Sequence, residues 1–229
     1  MAKTSKYRNK REKTNNPEAI KPEPLNKKQD NYIKFLETCP VVVAIGPPGT
    51  SKSFIPSSLG AYWLHHKLVD KVVIARSPVG PGKEIGYLPG TAEEKLEGWM
   101  TPVVEAMKYS IGAAKFDYCL KSGQIEFCNL TQIKGRTFDQ TLVIIDEAED
   151  LDQSTMKAIL TRIGENTTFA FNGDLRQQNI RGKSGLSLVL ELSDVVDFDI
   201  PIIEFDIEDI VRSGTCKSIV KGLIELGHY

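Results

Sequence analysis

The chain has 229 residues, of which 41% are hydrophobic and 26% charged, and its formal net charge is −1. This composition is typical of a globular domain large enough to bury a core. The longest aliphatic run, Val41–Ile45, is much shorter than a bilayer span, and no apolar segment follows the basic N-terminus as in a secretory signal. We therefore expect a single cytoplasmic domain that has no membrane partner.

The small net charge hides an uneven distribution. Residues 1–28 hold nine Lys or Arg against three Glu, whereas the rest of the chain holds 20 basic and 27 acidic residues. A uniformly basic nucleic-acid-binding surface is therefore not expected, but a basic arm on an acidic body is. Because residues 1–24 are polar and lack aliphatic periodicity, we predict that they are a disordered tail and that residues 25–229 form the domain.

The cysteines show neither a CxxC motif nor the spacing of a zinc site. They are Cys39, Cys119, Cys128 and Cys216. With only three histidines in the chain, a His/Cys metal cluster is not expected. We expect free thiols in a reducing compartment. A predicted hairpin over residues 116–129 leaves a Cys119–Cys128 pair open.

After a short predicted helix at residues 25–36, aliphatic runs alternate with helical segments. We predict strands at residues 41–45, 71–75, 141–145, 167–172 and 202–205. We predict helices at residues 52–68, 92–109 (kinked near Pro102), 153–163, 184–192 and 207–226 (interrupted near Gly214), with a long loop at 77–90. Continuous aliphatic runs are typical of strands buried on both faces. The alternation predicts an α/β domain with a mostly parallel sheet.

Residues 46–53, Gly-Pro-Pro-Gly-Thr-Ser-Lys-Ser, follow a predicted strand and open a predicted helix, which is the context of a P-loop. Small residues let backbone N–H groups turn towards a phosphate, and the helix N-terminus adds partial positive charge. Lys52 is expected to neutralise the β- and γ-phosphates, and the Ser53 hydroxyl to bind Mg²⁺. We predict nucleotide contacts at Gly46, Pro47, Pro48, Gly49, Thr50, Ser51, Lys52, Ser53 and Phe54.

One position departs from the P-loop pattern, because Ser51 stands where glycine is usual before the lysine. A Cβ at that crowded turn predicts a strained backbone or a contact with the phosphate. We expect weaker nucleotide binding or a locally reshaped loop. Two alternatives stay open: a P-loop with impaired hydrolysis, and a strand–helix turn that binds no phosphate.

An aliphatic strand at residues 141–145 ends in Asp146 and Glu147, as in a Walker B motif. Asp146 is expected to hold Mg²⁺, and Glu147 to polarise the attacking water, because proton transfer is best served by a carboxylate beside the metal. Open α/β sheets bind ligands at this end of their strands. A solvated turn is the alternative. The acids that follow, at residues 149, 150 and 152, are interpreted as the first turn of the next helix.

Asp174 and Gln177 follow the next predicted strand and are candidates to contact the γ-phosphate or its water, with a simple Asn-Gly-Asp turn as an equal alternative. The arginines that are candidates for sensing phosphate or stabilising transition-state charge are Arg76, Arg136, Arg162, Arg176 and Arg212. Arg76 and Arg136 are favoured, because the first ends a predicted strand and the second precedes the Walker B strand.

Together these motifs resemble the PhoH-like ATPases, relatives of the motor core of superfamily-1 helicases. The segments that carry the resemblance are residues 46–53, 75–79, 86–90, 134–137, 145–149, 160–164, 172–174, 184–186 and 209–212. The resemblance covers about residues 25–225. It implies a three-layer P-loop NTPase fold, a single RecA-like domain with a mostly parallel central sheet, that binds ATP and Mg²⁺.

The resemblance also implies roles for individual residues. Lys52, Ser53, Asp146 and Glu147 keep the roles given above. Asp174 and Gln177 resemble a helicase Gly-Asp-x-x-Gln motif and become sensors. Gln29 occupies the position of an adenine-reading glutamine, whose amide offers one donor and one acceptor side to the base.

A helicase motor needs two RecA-like lobes, and this chain has room for one. The site would then lie at a subunit edge and need an arginine from a neighbouring copy, which predicts a homo-oligomer, with a hexameric ring favoured. We expect an ATPase, with RNA or single-stranded DNA as candidate partners of the basic tail or the loop at 77–90. The alternatives are a nucleotide-dependent switch with little turnover and, less favoured by the Asp146–Glu147 pair, a P-loop kinase.

Overall fold

The computed structural model describes residues 19–76, 100–130, 133, 135–180 and 182–227. One sheet of six strands organises this part of the chain, and every strand pair in it is parallel. The strands are β1 (Val41–Ile45), β2 (Lys71–Arg76), β3 (Ile125–Asn129), β4 (Thr141–Asp146), β5 (Thr168–Gly173) and β6 (Ile202–Glu204). Their order across the sheet is β3-β2-β4-β5-β1-β6.

Helices cover both faces of the sheet. They are α1 (Lys27–Thr38), α2 (Phe54–His65), α3 (Thr101–Ile111), α4 (Ala113–Lys121), α5 (Gln153–Leu160), α6 (Gly185–Leu192) and α7 (Gly214–Glu225). Short 3₁₀ turns lie at Ala148–Asp150, Leu175–Gln177 and Ile207–Asp209. No helix within the described ranges is long and apolar enough to cross a membrane.

Alternate residues of each strand enter two separate cores. In β1, Val42 and Ala44 pack with α1 to α4, whereas Val41 and Val43 pack with α5 and α6. The fold therefore has three layers, with helices on both sides of a buried parallel sheet, as predicted. Parallel pairing also brings the carboxyl ends of the strands to one edge, where Arg76 is in register with Asp146.

The predicted hairpin over residues 116–129 is wrong. Its first half belongs to α4, in which Phe116 and Cys119 are buried three residues apart, the spacing of a helix. Gly123 has a φ of 73°, which ends that helix rather than turning a hairpin. The second half is β3, which pairs in parallel with β2. All four cysteines are free, so Cys119 and Cys128 form no disulfide.

The other differences concern the ends of elements. In the described chain α3 begins at Thr101, so Pro102 lies in the first turn of that helix. The predicted loop at 77–90 and residues 92–99 of the predicted helix lie outside the described residues. The predicted interruption near Gly214 is confirmed, because a 3₁₀ turn precedes α7.

Part of the predicted tail lies against the core. The Ile20 N–H donates to the Ser110 carbonyl at 2.8 Å, and the Ser110 hydroxyl donates back to the Ile20 carbonyl at 2.7 Å. Residues 19–24 are thus attached to α3. The prediction of disorder for residues 1–18 concerns residues outside the described part of the chain.

Candidate nucleotide-binding cleft

The glycine-rich loop between β1 and α2 has an unusual backbone. Gly46 and Gly49 have φ values of 138° and 86°. A Cβ on Gly46 would lie 2.3 Å from the carbonyl oxygen of Phe205, so only glycine fits there. Ser51 has a φ of 71°, in the left-handed region that side chains disfavour. The strained backbone predicted at Ser51 is therefore present.

The lysine of this loop is bound to the loop itself. Lys52 Nζ donates to the carbonyl oxygens of Gly46 and Pro47, the latter at 2.7 Å. Burial lowers the pKa of Lys52, while the charges of Asp174 and Glu147 act in the opposite direction. The ammonium thus lies in the mouth of the loop beside a group of carboxylates.

A short hydrogen bond joins the loop to the end of β4. Ser53 Oγ donates to Asp146 Oδ1 at 2.6 Å. Burial raises the pKa of Asp146, and the bond from Ser53 opposes that shift. The two residues predicted to hold Mg²⁺ are therefore neighbours in space, although 93 residues separate them in sequence.

Glu147 is held by an arginine. Its backbone is left-handed, with φ 53° and ψ 47°. Arg76 Nη2 donates to Glu147 Oε1 at 2.7 Å, and Arg76 Nη1 lies 4.0 Å from Asp146 Oδ2. One guanidinium thus neutralises part of the negative charge of the acid pair.

Glu149 is a residue of the cleft region that the sequence interpretation missed. It is 1% exposed, and among the described residues no hydrogen-bond partner reaches its Oε2. A Cβ on Gly173 would lie 2.4 Å from that oxygen. Burial and the neighbouring Glu147 carboxylate raise the pKa of Glu149 to about 9. Of the three acids interpreted as a helix turn, Asp152 caps α5 through the Thr155 N–H.

Asp174 and Gln177 line the same cleft, which has a volume of about 620 Å³. Gln177 Nε2 donates to Asp174 Oδ2 at 3.1 Å, and the Arg176 N–H donates to Asp174 Oδ1 at the same distance. The polar residues after β5 thus form a turn, and that turn faces the cleft.

The candidate arginines are separated by the fold. Arg76 and Arg212 line the cleft. Arg136 binds both carboxylate oxygens of Glu126 on the edge strand β3, at 2.6 and 2.9 Å, and does not line the cleft. Arg162 donates to the Ala158 carbonyl at the end of α5. Arg176 lines a second depression, which Gly46 and Pro47 of the loop also line.

The chain after β6 closes over the glycine-rich loop. The Phe205 N–H donates to the Ile45 carbonyl at 2.8 Å, and the Val211 N–H donates to the Gly49 carbonyl at 2.9 Å. A Cβ on Gly49 would lie 3.0 Å from Cδ of Arg212. Residues far along the chain therefore hydrogen-bond to the loop and pack against it.

Gln29 is buried under the same loop. It is 1% exposed, its side-chain oxygen accepts from the Leu25 N–H at 2.9 Å, and its Nε2 donates to the Thr50 carbonyl at 3.4 Å. In this arrangement the Gln29 amide stabilises the loop through its hydrogen bond to the Thr50 carbonyl. Its predicted reading of adenine stays a prediction.

A parallel sheet with a glycine-rich loop after β1 and an acid pair at the end of β4 defines a P-loop NTPase of the RecA-like type. Within that class, the family model "PhoH-like protein" matches residues 20–223. The chain belongs to the PhoH-like family, as its motifs suggested.

Curated relatives carry the same family name. "Protein PhoH" of Escherichia coli K12 is 36% identical over 196 residues, which are 84% of this chain and 55% of the relative. A "PhoH-like protein" of Bacillus subtilis 168 is 31% identical over 195 residues, 84% of this chain and 61% of the relative. The chain thus spans little more than half the length of these relatives.

A solved structure shows the same fold. The UvsW helicase from bacteriophage T4 superimposes with a TM-score of 0.50 and 14% sequence identity, over 82% of this chain and 62% of that one. At this identity the likeness concerns the fold alone.

Proposed function

We propose that this protein binds ATP with Mg²⁺ in the cleft and hydrolyses it. The bond of 2.6 Å from Ser53 Oγ to Asp146 Oδ1 carries the proposal, because it joins the glycine-rich loop to the acid pair. Hydroxyl and carboxylate oxygens are ligands that Mg²⁺ prefers. Among the described residues no three His, Cys, Asp or Glu side chains form a metal-binding group, so the other ligands would be water and phosphate.

The position of each residue in the cleft determines the role that we propose for it. Backbone N–H groups of the loop and the N-terminus of α2 bind phosphate oxygens. Lys52 exchanges its bonds to the loop carbonyls for bonds to phosphate. Glu147, beside the metal ligand Asp146, accepts the proton of the attacking water. Mg²⁺, when bound, neutralises charge on the phosphates.

A complete site for ATP hydrolysis needs a cation beside the phosphates where the bond breaks. An arginine there stabilises the negative charge that develops in the transition state. Arg76 is bound to Glu147, whereas Arg212 lies against the loop. We propose that a neighbouring copy supplies a further arginine in a homo-oligomer, with a hexameric ring favoured. We propose that ATP hydrolysis is coupled to the binding of RNA or single-stranded DNA.

The second candidate is a nucleotide-dependent switch with little turnover. The ion pair between Arg76 and Glu147 favours it, because a carboxylate held at 2.7 Å by a guanidinium must leave that contact before its oxygen can accept a proton from water. The strained Ser51 backbone points the same way. ATP would then order a partner surface rather than drive a cycle.

The test is phosphate release by the full chain and by Glu147→Gln, over a series of protein concentrations, with and without RNA and single-stranded DNA. The matched control is Glu225→Gln, the same change at an exposed position of α7. We expect Glu147→Gln to bind ATP but to lose roughly 100-fold or more in rate, and the control to behave as the unaltered chain.

The possible results separate the candidates. Unchanged hydrolysis in Glu147→Gln excludes this residue as the base. No phosphate release by the unaltered chain at any concentration, with ATP still bound, favours the switch. A specific rate that rises with protein concentration supports the homo-oligomer, and a rate independent of RNA and single-stranded DNA removes the nucleic-acid coupling.

A further inference from the structure

Two partly exposed aromatic rings lie side by side on one wall of the cleft. Phe54 is the first residue of α2, directly after Ser53, and Tyr109 lies near the end of α3. Their ring centroids are 5.8 Å apart and their planes are inclined by 51°. The side chains are 38% and 56% exposed, and both line the cleft.

Phe54 and Tyr109 are more exposed than most aromatic residues of the described part of the chain. The aromatic residues Tyr32, Phe116 and Phe169 are 0% exposed, and α2 buries nine of its twelve residues. Leaving apolar rings in water forgoes the free energy of burial. Paired aromatic faces beside a phosphate-binding loop are the chemistry that binds a planar, aromatic ligand.

Among the described residues, the other positions near the loop that bear on base binding are buried. The second depression is lined by Lys28, Gly46 and Phe205, but Phe205 is only 5% exposed. Gln29 is buried, with its amide bonded to the Leu25 N–H and the Thr50 carbonyl. Using that amide to read a base edge would break bonds that the buried group already makes, at a cost in free energy.

We propose that Phe54 and Tyr109 form a stacking platform for the base of the bound nucleotide. This inference rests on the proposed function, since it requires the phosphates to lie in the loop that ends at Ser53. Phe54 directly follows that loop, so the platform lies where a nucleotide held by its phosphates can extend its base. Stacking uses the π-face that every base has, so the platform accepts ATP and GTP with similar affinity.

The experiment compares two ligands of the same Mg²⁺-loaded loop, ATP and inorganic tripolyphosphate, which has no base. Dissociation constants are measured by calorimetry on the full chain and on Phe54→Ala, Tyr109→Ala and the double variant. Tyr118→Ala is the matched control, because Tyr118 is a 61% exposed tyrosine of α4. Phe54→Tyr and Tyr109→Phe keep the rings and serve as conservative variants.

We expect each alanine variant to weaken ATP by about 10-fold, the effect of losing one stacking partner, and to leave tripolyphosphate unchanged. The conservative variants and the control should bind both ligands as the unaltered chain does. GTP should bind within a few-fold of ATP.

Four results overturn the platform. They are equal losses for ATP and tripolyphosphate, unchanged ATP affinity in the double variant, a strong preference of the unaltered chain for ATP over GTP, and loss of single-stranded RNA binding with ATP binding intact. If the unaltered chain binds neither ATP nor tripolyphosphate, the proposed function itself fails. A fifth result, binding of tripolyphosphate as tight as that of ATP, keeps the phosphate site and also removes the platform.

Discussion

Two groups of acidic residues, one on the edge strand β3 and one at the end of β4, have pKa values that are shifted in opposite directions. At the edge strand β3, Glu126 is bound by Arg136 at 2.6 Å and by Lys71 at 2.5 Å. Chiefly the hydrogen bond from Arg136 lowers the pKa of Glu126 to about 2. At and just after the end of β4, burial is the main cause that raises the pKa of Asp146 and of Glu149.

The difference separates a carboxylate whose ion pairs stabilise the fold from carboxylates whose burial opposes their ionisation. At the edge, each charge has its partner, so ionisation favours the folded state. For Asp146, burial outweighs the attraction of Arg76 and Lys52, so its ionisation is disfavoured until a further cation binds nearby. Such a group weakens the fold, and under the proposed function that cost is offset when Mg²⁺ binds with a nucleotide.

The largest effect is expected for Asp146→Asn. Loss of a metal ligand should lower ATP hydrolysis by roughly 100-fold or more, as several kcal/mol of transition-state stabilisation disappear. Stability without Mg²⁺ should not fall in parallel, because a neutral amide costs less to bury than a carboxylate. Phosphate release and thermal unfolding in chelator, measured on the same samples, check this. A large loss of stability in Asp146→Asn would contradict the difference between the cleft acids and Glu126 on the edge strand β3.

Glu149→Gln should change how stability depends on pH. The pKa of Glu149 is raised in the folded state, so between about pH 5 and 8 the native chain holds a proton that the unfolded chain has released. Stability therefore falls as pH rises, and the variant removes that fall. Relative to the unaltered chain, we expect the variant to gain roughly 4 kcal/mol between pH 5 and 8 in urea unfolding, since one proton contributes about 1.4 kcal/mol for each pH unit. A pH-independent difference would contradict the burial of an acid here.

Arg136→Met should act in the opposite way. The pKa of Glu126 is depressed, so its ion pairs stabilise the fold above about pH 4 and lose that effect as pH falls towards 2. The side chains of Arg136 and Glu126 are 33% and 28% exposed, so we expect a loss of roughly 1 kcal/mol at pH 7.

Hydrolysis per folded molecule should not change in Arg136→Met. A double-mutant cycle with Glu126→Gln, followed by chemical unfolding, isolates the pair. A strong loss of hydrolysis with unchanged stability would instead support the catalytic role predicted for Arg136.

The smallest effect is expected for Ser51→Gly. Glycine adopts the φ of 71° without the cost that a side chain has there, which should stabilise the fold by up to about 1 kcal/mol and tighten nucleotide binding. Asn166→Gly is the control, because Asn166 has a φ of 53° in a turn outside the cleft. Both variants should gain stability, but only Ser51→Gly should gain affinity for ATP. Equal affinities would show that Ser51 does not impair the loop.

What the sequence could predict depended on local signals. Continuous aliphatic runs identify β1 and β4, and the glycine-rich loop identifies its own turn. The polar residues in β3, an edge strand with only Ile125 and Cys128 buried, gave the pattern of a hairpin instead. Edge strands lack the double burial that makes the inner strands visible.

The site was predictable only as far as its motifs extend. The meeting of Ser53 with Asp146 follows from parallel strand topology. The burial of Glu149 depends on Gly173 of another strand, and the pairing of Arg136 depends on a carboxylate ten residues earlier in β3. Neither contact leaves a periodic or spacing signal in the chain.

The hydrogen bond from the Val211 N–H to the Gly49 carbonyl sets a lower limit on any minimal fragment of this protein. A fragment that stops before residue 211 leaves that carbonyl without its donor, and one that also omits Phe205 uncovers Gly46, whose backbone packs against it. The eight-residue loop is thus not a transferable module. Its conformation depends on residues that lie more than 150 positions downstream. A graft of the motif alone would therefore have the sequence of the loop without its geometry.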